Sequence, residues 1–432
     1  MRIFFLYIIG LVTVSSCSYV SSIEDCVSDR PMQGTAVHGT YVPIEEARSV
    51  LEDFLASGLP MTRGNVQRVI ENSFSIGGLK TKSGEGELPV IHIFNFKDSS
   101  GYAIMSGDRR IDPILCVTEK GTLSQDSEVD NPGLALALTE LEDYCEMRLS
   151  MAEENDTSSV GYEHTFEYDP WENYSTVGSV MNCHWDQYPP FNAACPIIDT
   201  VHAVVGCTAT AVGQIMYDWG RSTMYRGISF DWTKMHQILY WRSQPSDSSC
   251  WTLVQQLLCS LGSTENLDAT YGTGSTHVSD LSNVTRTFEH FGYYSGGSYE
   301  SYDFPTLMAA LSDGPALGHG ADTMVVTRAL GVVLNTTYKS HDWVFDQVLT
   351  RRRRGYMYED GNCVDSFYEY QNLVHINWGW GGRDDGYFAN TRFNADEGPV
   401  TRTIGTFTYG SDRYYRYNLQ MNCSIEPDSP SL

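Results

Sequence analysis

The segment VVGCTATAVGQIMYDWG, residues 204–220, decides how the chain is read. Ala209, Val212, Ile215, Met216 and Trp219 recur at three- and four-residue steps, the period of a helix with one apolar face. The helix starts just after Gly206 and places Cys207 at its N-terminus, where unpaired backbone N–H groups and the dipole favour an anion. A thiolate is such an anion. Moving a cysteine pKa from about 8.5 to about 4 represents roughly 6 kcal/mol of differential stabilisation. A helix end supplies about 1–2 kcal/mol of it, so a cationic partner must supply most of the remainder. The competing reading is an inert buried cysteine.

The partner is sought among downstream histidines. His341 stands in the alternating, strand-like run SHDWVFDQVL, 134 residues beyond Cys207. That separation falls within the ~130–150 residues of papain-type cysteine and histidine pairs. His319 lies in Gly-His-Gly, read as a loop before any strand. His375, in LVHINWGWGG, reads as a strand residue packing beside Trp378. Taken alone, each is more often structural than catalytic.

The chain has 432 residues, 41% apolar and 12% aromatic, which predicts a globular protein of two domains plus processing segments. Lys and Arg total 28 against 54 Asp and Glu, a formal charge of −26, and such a field repels phosphate backbones. Nucleic acid is therefore excluded as a partner. Arg2 followed by the apolar run Ile3 to Val14 is too short to span a bilayer and reads as an export signal. Val-Ser-Ser-Cys ending at Cys17 looks like a bacterial lipobox, so residues 1–17 are a lipoprotein-type signal with Cys17 lipidated. Plain secretion with cleavage near Ser22 is the other reading. Either way the protein is exported, as an outer-membrane lipoprotein or an extracellular protein, with membrane contact only through the lipid. The eleven cysteines include no C-x-x-C pair, which gives zinc ribbons and thioredoxin-like sites no support.

Residues 24–152 form a compact α+β module: an amphipathic helix over 41–59, a β-hairpin in ELPVIHIFNFKDSSGYAIMSGD, and a second helix in PGLALALTELEDYCEMRLSMAEE. Residues 153–180 turn polar and lose their period, the best place for a cleavable linker. A larger domain covers 181–420. The basic run Arg351 to Arg354 reads as a strand of a two-stranded ribbon with alternate arginines facing solvent; a processing site or a patch for acidic substrates are the alternatives.

Gly206-Cys207-Thr208-Ala209-Thr210-Ala211, Gln214-Ile215-Met216, the His-x-Trp-Val-x-Asp run at 341–346 and Asn377-Trp378-Gly379-Trp380-Gly381-Gly382 occur in that order. Together they resemble the streptopain family of secreted bacterial cysteine peptidases. His184-Trp185-Asp186-Gln187 with Pro190-Phe191-Asn192 is similar to the segment bearing that family's oxyanion-hole glutamine. GYAIMSGDRRIDPIL (101–115) resembles the hairpin of its propeptide. The resemblance implies an α+β fold: a papain-like two-lobed catalytic domain preceded by a small α+β inhibitory prodomain that covers the cleft.

It also implies roles. Cys207 is the nucleophile, and His341 pairs with it as imidazolium and then protonates the leaving amine. The Gln187 side chain and the Cys207 N–H bind the oxyanion. Trp378 and Trp380, two apart on a strand, shield and orient the imidazole, while Asn377 points to the opposite face. Gly274 and Ser275 border the substrate cleft, with Ser340 beside the histidine. No metal or cofactor is implied; the partners are protein or peptide substrates and the chain's own prodomain. Ser340 and Asp342 stand where the family tends to have Gly and Ala. Asp342 projects away from His341 on a strand, yet its charge is expected to raise the histidine pKa. The leading expectation is a cysteine endopeptidase made as a zymogen. Its rival is a degenerate papain-like surface lipoprotein that binds a peptide or host protein, and rapid thiol alkylation would separate the two.

Overall fold

The computed structural model describes residues 40–57, 68–77, 91–124, 129–156, 164–221, 223–320, 324–330, 332–338, 340–390, 402–404, 407–409 and 419–427. The export signal and Cys17 lie outside these residues. Among the described residues no helix is long and apolar enough to cross a membrane.

The N-terminal module runs α1 (Ile44–Ala56), β1 (Ile70–Ile76), β2 (Ile91–Phe96), β3 (Tyr102–Ser106), β4 (Ile114–Thr118) and α2 (Pro132–Asp156). Glu45 and Glu46 favour the first turn of α1, and Ala47, Leu51 and Phe54 bury its inner face. The expected hairpin is β2 and β3, and both expected helices are present. Asn131 caps α2, its Oδ1 accepting from the N–H of Gly133 at 3.1 Å and of Leu134 at 3.3 Å.

The chain continues through β5 (His164–Tyr168), β6 (Glu172–Gly178), β7 (Ile197–Ile198), β8 (Val201–His202), α3 (Cys207–Trp219), β9 (Thr223–Tyr225), β10 (Ile228–Phe230), α4 (Trp232–Met235), α5 (Ser249–Leu261) and α6 (Ser282–His290). Then come β11 (Tyr293–Ser301), α7 (Phe304–Leu311), β12 (Ala316–Gly320), β13 (Met324–Ala329), β14 (Val332–Tyr338), β15 (His341–Glu359) and β16 (Asn362–Asn377). β17 (Gly386–Ala389), β18 (Arg402–Ile404), β19 (Phe407–Tyr409) and β20 (Gln420–Pro427) complete the described chain. Helices thus lead and antiparallel strands follow, and β20 carries the sheet past the expected boundary at 420.

One twelve-stranded sheet joins the two halves in the order β1-β2-β3-β4-β17-β16-β15-β12-β20-β11, with β5 and β6 also paired to β15. The junction is β4 against β17, pairing Thr118 with Gly386, Val117 with Tyr387 and Cys116 with Phe388. β15 separates two cores. Trp343, Phe345 and Leu349 join Leu134, Leu136 and Leu138 of α2 on one face. Val344, on the other, joins Val212 and Ile215 of α3 and Leu257 and Leu258 of α5. Alternate residues of one strand therefore look toward α2 of the N-terminal module and toward the Cys207 helix.

Two expectations change here. Much of the stretch read as an aperiodic linker is β5 and β6, which lie along one edge of β15. In β6 the burial alternates residue by residue, the shallow pattern of an edge strand whose half-buried face is mostly polar, Asn173, Ser175 and Val177. The arginine run is in a strand as expected, but β15 there is flanked on both edges and Arg351 is fully buried, not solvent-facing.

Candidate active site

Gly206, at φ +93°, turns the chain into α3, and Cys207 is its first residue. The turn is held by the 3.0 Å bond from Val205 N–H to the Gln187 carbonyl and by Thr276, whose Oγ1 donates to the Val204 carbonyl at 2.7 Å. Gln187 and the loop containing Gly274 and Ser275 are thereby gathered near the N-terminus of the helix. Gln187 is buried, whereas Gly274 and Ser275 are exposed.

The thiol's surroundings differ from the expectation. The charge that acts on the thiol is Asp342, with Oδ2 4.0 Å from Sγ. That carboxylate also accepts a short hydrogen bond from the Thr208 hydroxyl, and its Oδ1 lies 2.7 Å from Nδ1 of His319. Burial opposes ionisation of Asp342, but the charge and hydrogen bond of His319 and the bond from Thr208 outweigh it and hold the carboxyl below its usual range. Burial first, and then the Asp342 charge, push the Cys207 thiol up to about 12. The helix terminus therefore holds a protonated thiol in this state, not a thiolate. His319 is a buried residue of β12 paired in register with Asp342, not a loop residue.

His341 is on the other face of β15. No hydrogen bond joins it to Cys207 among the described residues. Its Nε2 lies 3.0 Å from the carbonyl oxygen of Trp378; a carbonyl only accepts, so this nitrogen carries the hydrogen. The imidazole stacks on Trp343 at 6.4 Å and leans on Trp378 at 6.3 Å. α2 closes over it: a Cβ on Gly133 would stand 2.2 Å from Trp378 Cε3 and 2.8 Å from His341 Cδ2. Burial drives the imidazole down to about 4, against the opposing pull of Asp342 and of the Trp378 carbonyl. The expected upward shift from Asp342 loses to desolvation, and the histidine is neutral.

Of the aromatic shield, Trp378 is beside His341 and Trp380 is not. β16 ends at Asn377, and Gly379, Gly381 and Gly382 all take positive φ in a tight turn, so the two tryptophans do not share a strand face. Trp380 packs instead against Tyr188 at 6.1 Å, next to Gln187. Asn377 does face away from His341: it donates to the Cys183 carbonyl at 2.8 Å and accepts from Gln214 of α3 at 3.1 Å. Ser340 is half-buried just ahead of His341. His375 does not pack beside Trp378 but on Tyr387 at 4.9 Å. It is bound between Asp346 at 2.6 Å and Glu119 of the N-terminal module at 3.3 Å.

Sequence reasoning missed Thr208, His319 and Asp342 as a cluster at the thiol, and Gly133 as the residue seated on the imidazole. The alternation of the SHDWVFDQVL run put His341 and Asp342 on opposite faces, but nothing local says which face meets α3. The result is a cysteine and a histidine both uncharged and held apart by one strand.

Residues 185–388 match the Peptidase C10 family, and residues 39–145 match the Spi protease inhibitor family. The chain is 21% identical over 343 residues to streptopain of Streptococcus pyogenes, covering 70% of this chain and 75% of that protein. It is 23% identical over 421 residues to the thiol protease/hemagglutinin PrtT of Porphyromonas gingivalis, covering 86% of this chain and 42% of that one. Among solved structures it is similar to a prointerpain A fragment of Prevotella intermedia, with 17% identity and a TM-score of 0.45, over 79% of this chain and 96% of that chain.

Proposed function

Residues 185–388 belong to the Peptidase C10 family of cysteine proteases, with an inhibitor domain of the Spi type ahead of them, and from that premise we propose a zymogen whose dyad is Cys207 and His341. The observation that carries the reading is α2 of the inhibitor domain seated on His341 through Gly133, on the face of β15 away from Cys207. Latency here is positional and electrostatic at once. The imidazole is too buried to be cationic and too far round the strand to deprotonate the thiol.

Activation removes α2. Water reaches the imidazole, its pKa recovers toward about 6.5, and His341, the first residue of β15, leaves its terminal pairing with Gly320 of β12 to turn toward α3. Cys207 then attacks the scissile carbonyl as thiolate, the Cys207 N–H and the Gln187 side chain hold the oxyanion, and the imidazolium protonates the departing amine. Trp378 orients the imidazole, and Gly274, Ser275 and Ser340 border the cleft where a peptide lies. The N-terminal residues support export with a lipid on Cys17, the enzyme acting on proteins or peptides at the outer membrane or outside the cell.

The test is turnover of denatured casein by the 18–432 chain under mild reductant, beside Cys207→Ala, with the mass of both followed in time. Wild type is expected to shed its inhibitor domain and then digest casein, while the variant stays whole. If trypsin releases the inhibitor domain and casein is still untouched, the chain is a peptide-binding relative and not a working protease.

A further inference from the structure

Two features have no part in this chemistry: the four arginines of β15 and the polar stretch ahead of the catalytic domain. They meet. β5 pairs residues 164–168 with 359–355 of β15, and β6 pairs 172–178 with 352–347, so both run along one edge of the same strand. Between them Asp169 N–H donates to the Arg354 carbonyl at 2.8 Å, and Tyr356 donates to the Asp169 carboxylate at 3.2 Å. Pro170, which has no N–H to offer a ladder, falls in the interruption.

The side chains interlock across this edge. Arg353 lies over Tyr168 at 3.9 Å and Trp171 at 4.8 Å and is paired with Glu369 of β16. Arg352 lies between Tyr174 at 4.4 Å and Tyr368 at 5.0 Å, with Glu172 at 2.6 Å. Arg351 is held over Trp171 at 5.7 Å and, from the N-terminal module, Phe54 at 4.6 Å. Arg354 donates to Ser366 at 3.1 Å. Each guanidinium already has its occupant, so the run is neither a free patch for acidic substrates nor an open processing site.

We propose that residues 164–178 are a permanent strap of the catalytic domain, with the arginine strand as their receptor, and that maturation cuts the chain ahead of His164 and leaves the strap in place. The existence of a cut rests on the zymogen reading; the strap does not. A protease binds several residues around the scissile bond in extended form, which here requires the segment to leave β15 first.

The test uses the full 18–432 chain carrying Cys207→Ala, which cannot process itself, under limiting thermolysin with fragments identified by mass. Phe166, 36% exposed, and Val177 suit thermolysin and would be early targets in a loose linker. The expected map has no cut between 165 and 178 while the domain is folded. Cleavage at Phe166 or Val177 in the folded chain would overturn the proposal. The double variant Arg352→Gln/Arg353→Gln should open the strap and speed its cleavage about tenfold. No change in a variant that melts like its parent would refute the receptor role, and Trp171→Ala serves if that variant does not fold. Self-processed wild type should begin at or before residue 164; a first residue between 165 and 181 would also refute it. If wild type neither processes itself nor digests casein after trypsin has released the inhibitor domain, the protease reading fails while the thermolysin map still decides the strap.

Discussion

Gly133→Ala sets two physical effects against each other. Gly133 is in the first turn of α2, where a glycine costs the helix up to about 1 kcal/mol relative to alanine. Propensity alone predicts a tighter inhibitor domain and a slower enzyme to mature. Packing predicts the reverse. The added methyl would stand 2.2 Å from a carbon of Trp378, and that ring cannot retreat, since it is buried against Trp343 at 5.4 Å and Phe388 at 5.5 Å. Overpacking of this kind costs about 1–3 kcal/mol. With a propensity gain of about 1 kcal/mol deducted, about 0–2 kcal/mol remains, and the severity of the 2.2 Å approach places this site at the upper end, which raises the fraction of molecules with His341 uncovered up to about 30-fold. The assay is the rate of Cys207 alkylation by iodoacetamide at pH 7 in freshly purified zymogen, read by peptide mass, alongside the time course of self-processing. Met224→Ala, at a residue 71% exposed in β9, is the control and should change neither. If Gly133→Ala melts higher and matures more slowly than wild type, the contact does not hold the histidine down.

Asp342→Ala removes the charge that helps push the Cys207 thiol up to about 12, so the midpoint of its pH–alkylation curve should fall below wild type, with Asp342→Asn showing the same direction. His375, deeply buried, is nonetheless raised to about 10 by Asp346 and Glu119, so its contribution to folding is full below about pH 6.5 and is lost as pH rises through about 10. Glu119→Gln weakens that shift, and melting curves from pH 6 to 10 should show the variant losing stability at lower pH than wild type. Arg351 buries three guanidinium nitrogens without a hydrogen-bond partner, and burial lowers its pKa to about 10. Replacing a buried cation of this kind by an apolar residue of similar length is often stabilising by about 1–4 kcal/mol, so Arg351→Met should raise the melting temperature of the zymogen; a clear fall would mean that the rings of Phe54 and Trp171 more than offset its desolvation.

The elements that were legible in the sequence were those whose period or turn chemistry is local, even where, as in β2, β3 and most of α3, both faces are buried. α1, α2 and the β2–β3 hairpin announce themselves by period and turn chemistry, and α3 by its apolar stripe and the glycine before Cys207. β15 did not yield its orientation. Its first eleven residues are all buried, Asp342 and Asp346 among them. A strand covered on both faces offers no contrast between sides, so alternation says that neighbours diverge without saying toward what. The same limit hid the meeting of Asp342 with Cys207 and of His341 with α2. The strap was missed for the opposite reason. His164 to Gly178 mixes polar and aromatic residues with no continuous apolar run, because an edge strand gains its place largely from backbone bonds and aromatic–arginine contacts, with Val177 its contact to the core. Trp378 and Trp380 went astray because three glycines at positive φ cut the strand that their spacing suggested.

The seam between β4 and β17 has a further consequence. While the inhibitor domain is attached, β17 is an interior strand. Once that domain is cut away, four residues with a row of unpaired N–H and C=O groups face water, an open edge ready to accept another strand. The chain best matched to it is the one that has just left, since Cys116 to Thr118 carry the register. A released inhibitor domain can dock again as a separate molecule, and activity then depends on its concentration. Scission alone is reversible in effect; destruction of the fragment is what makes activation final.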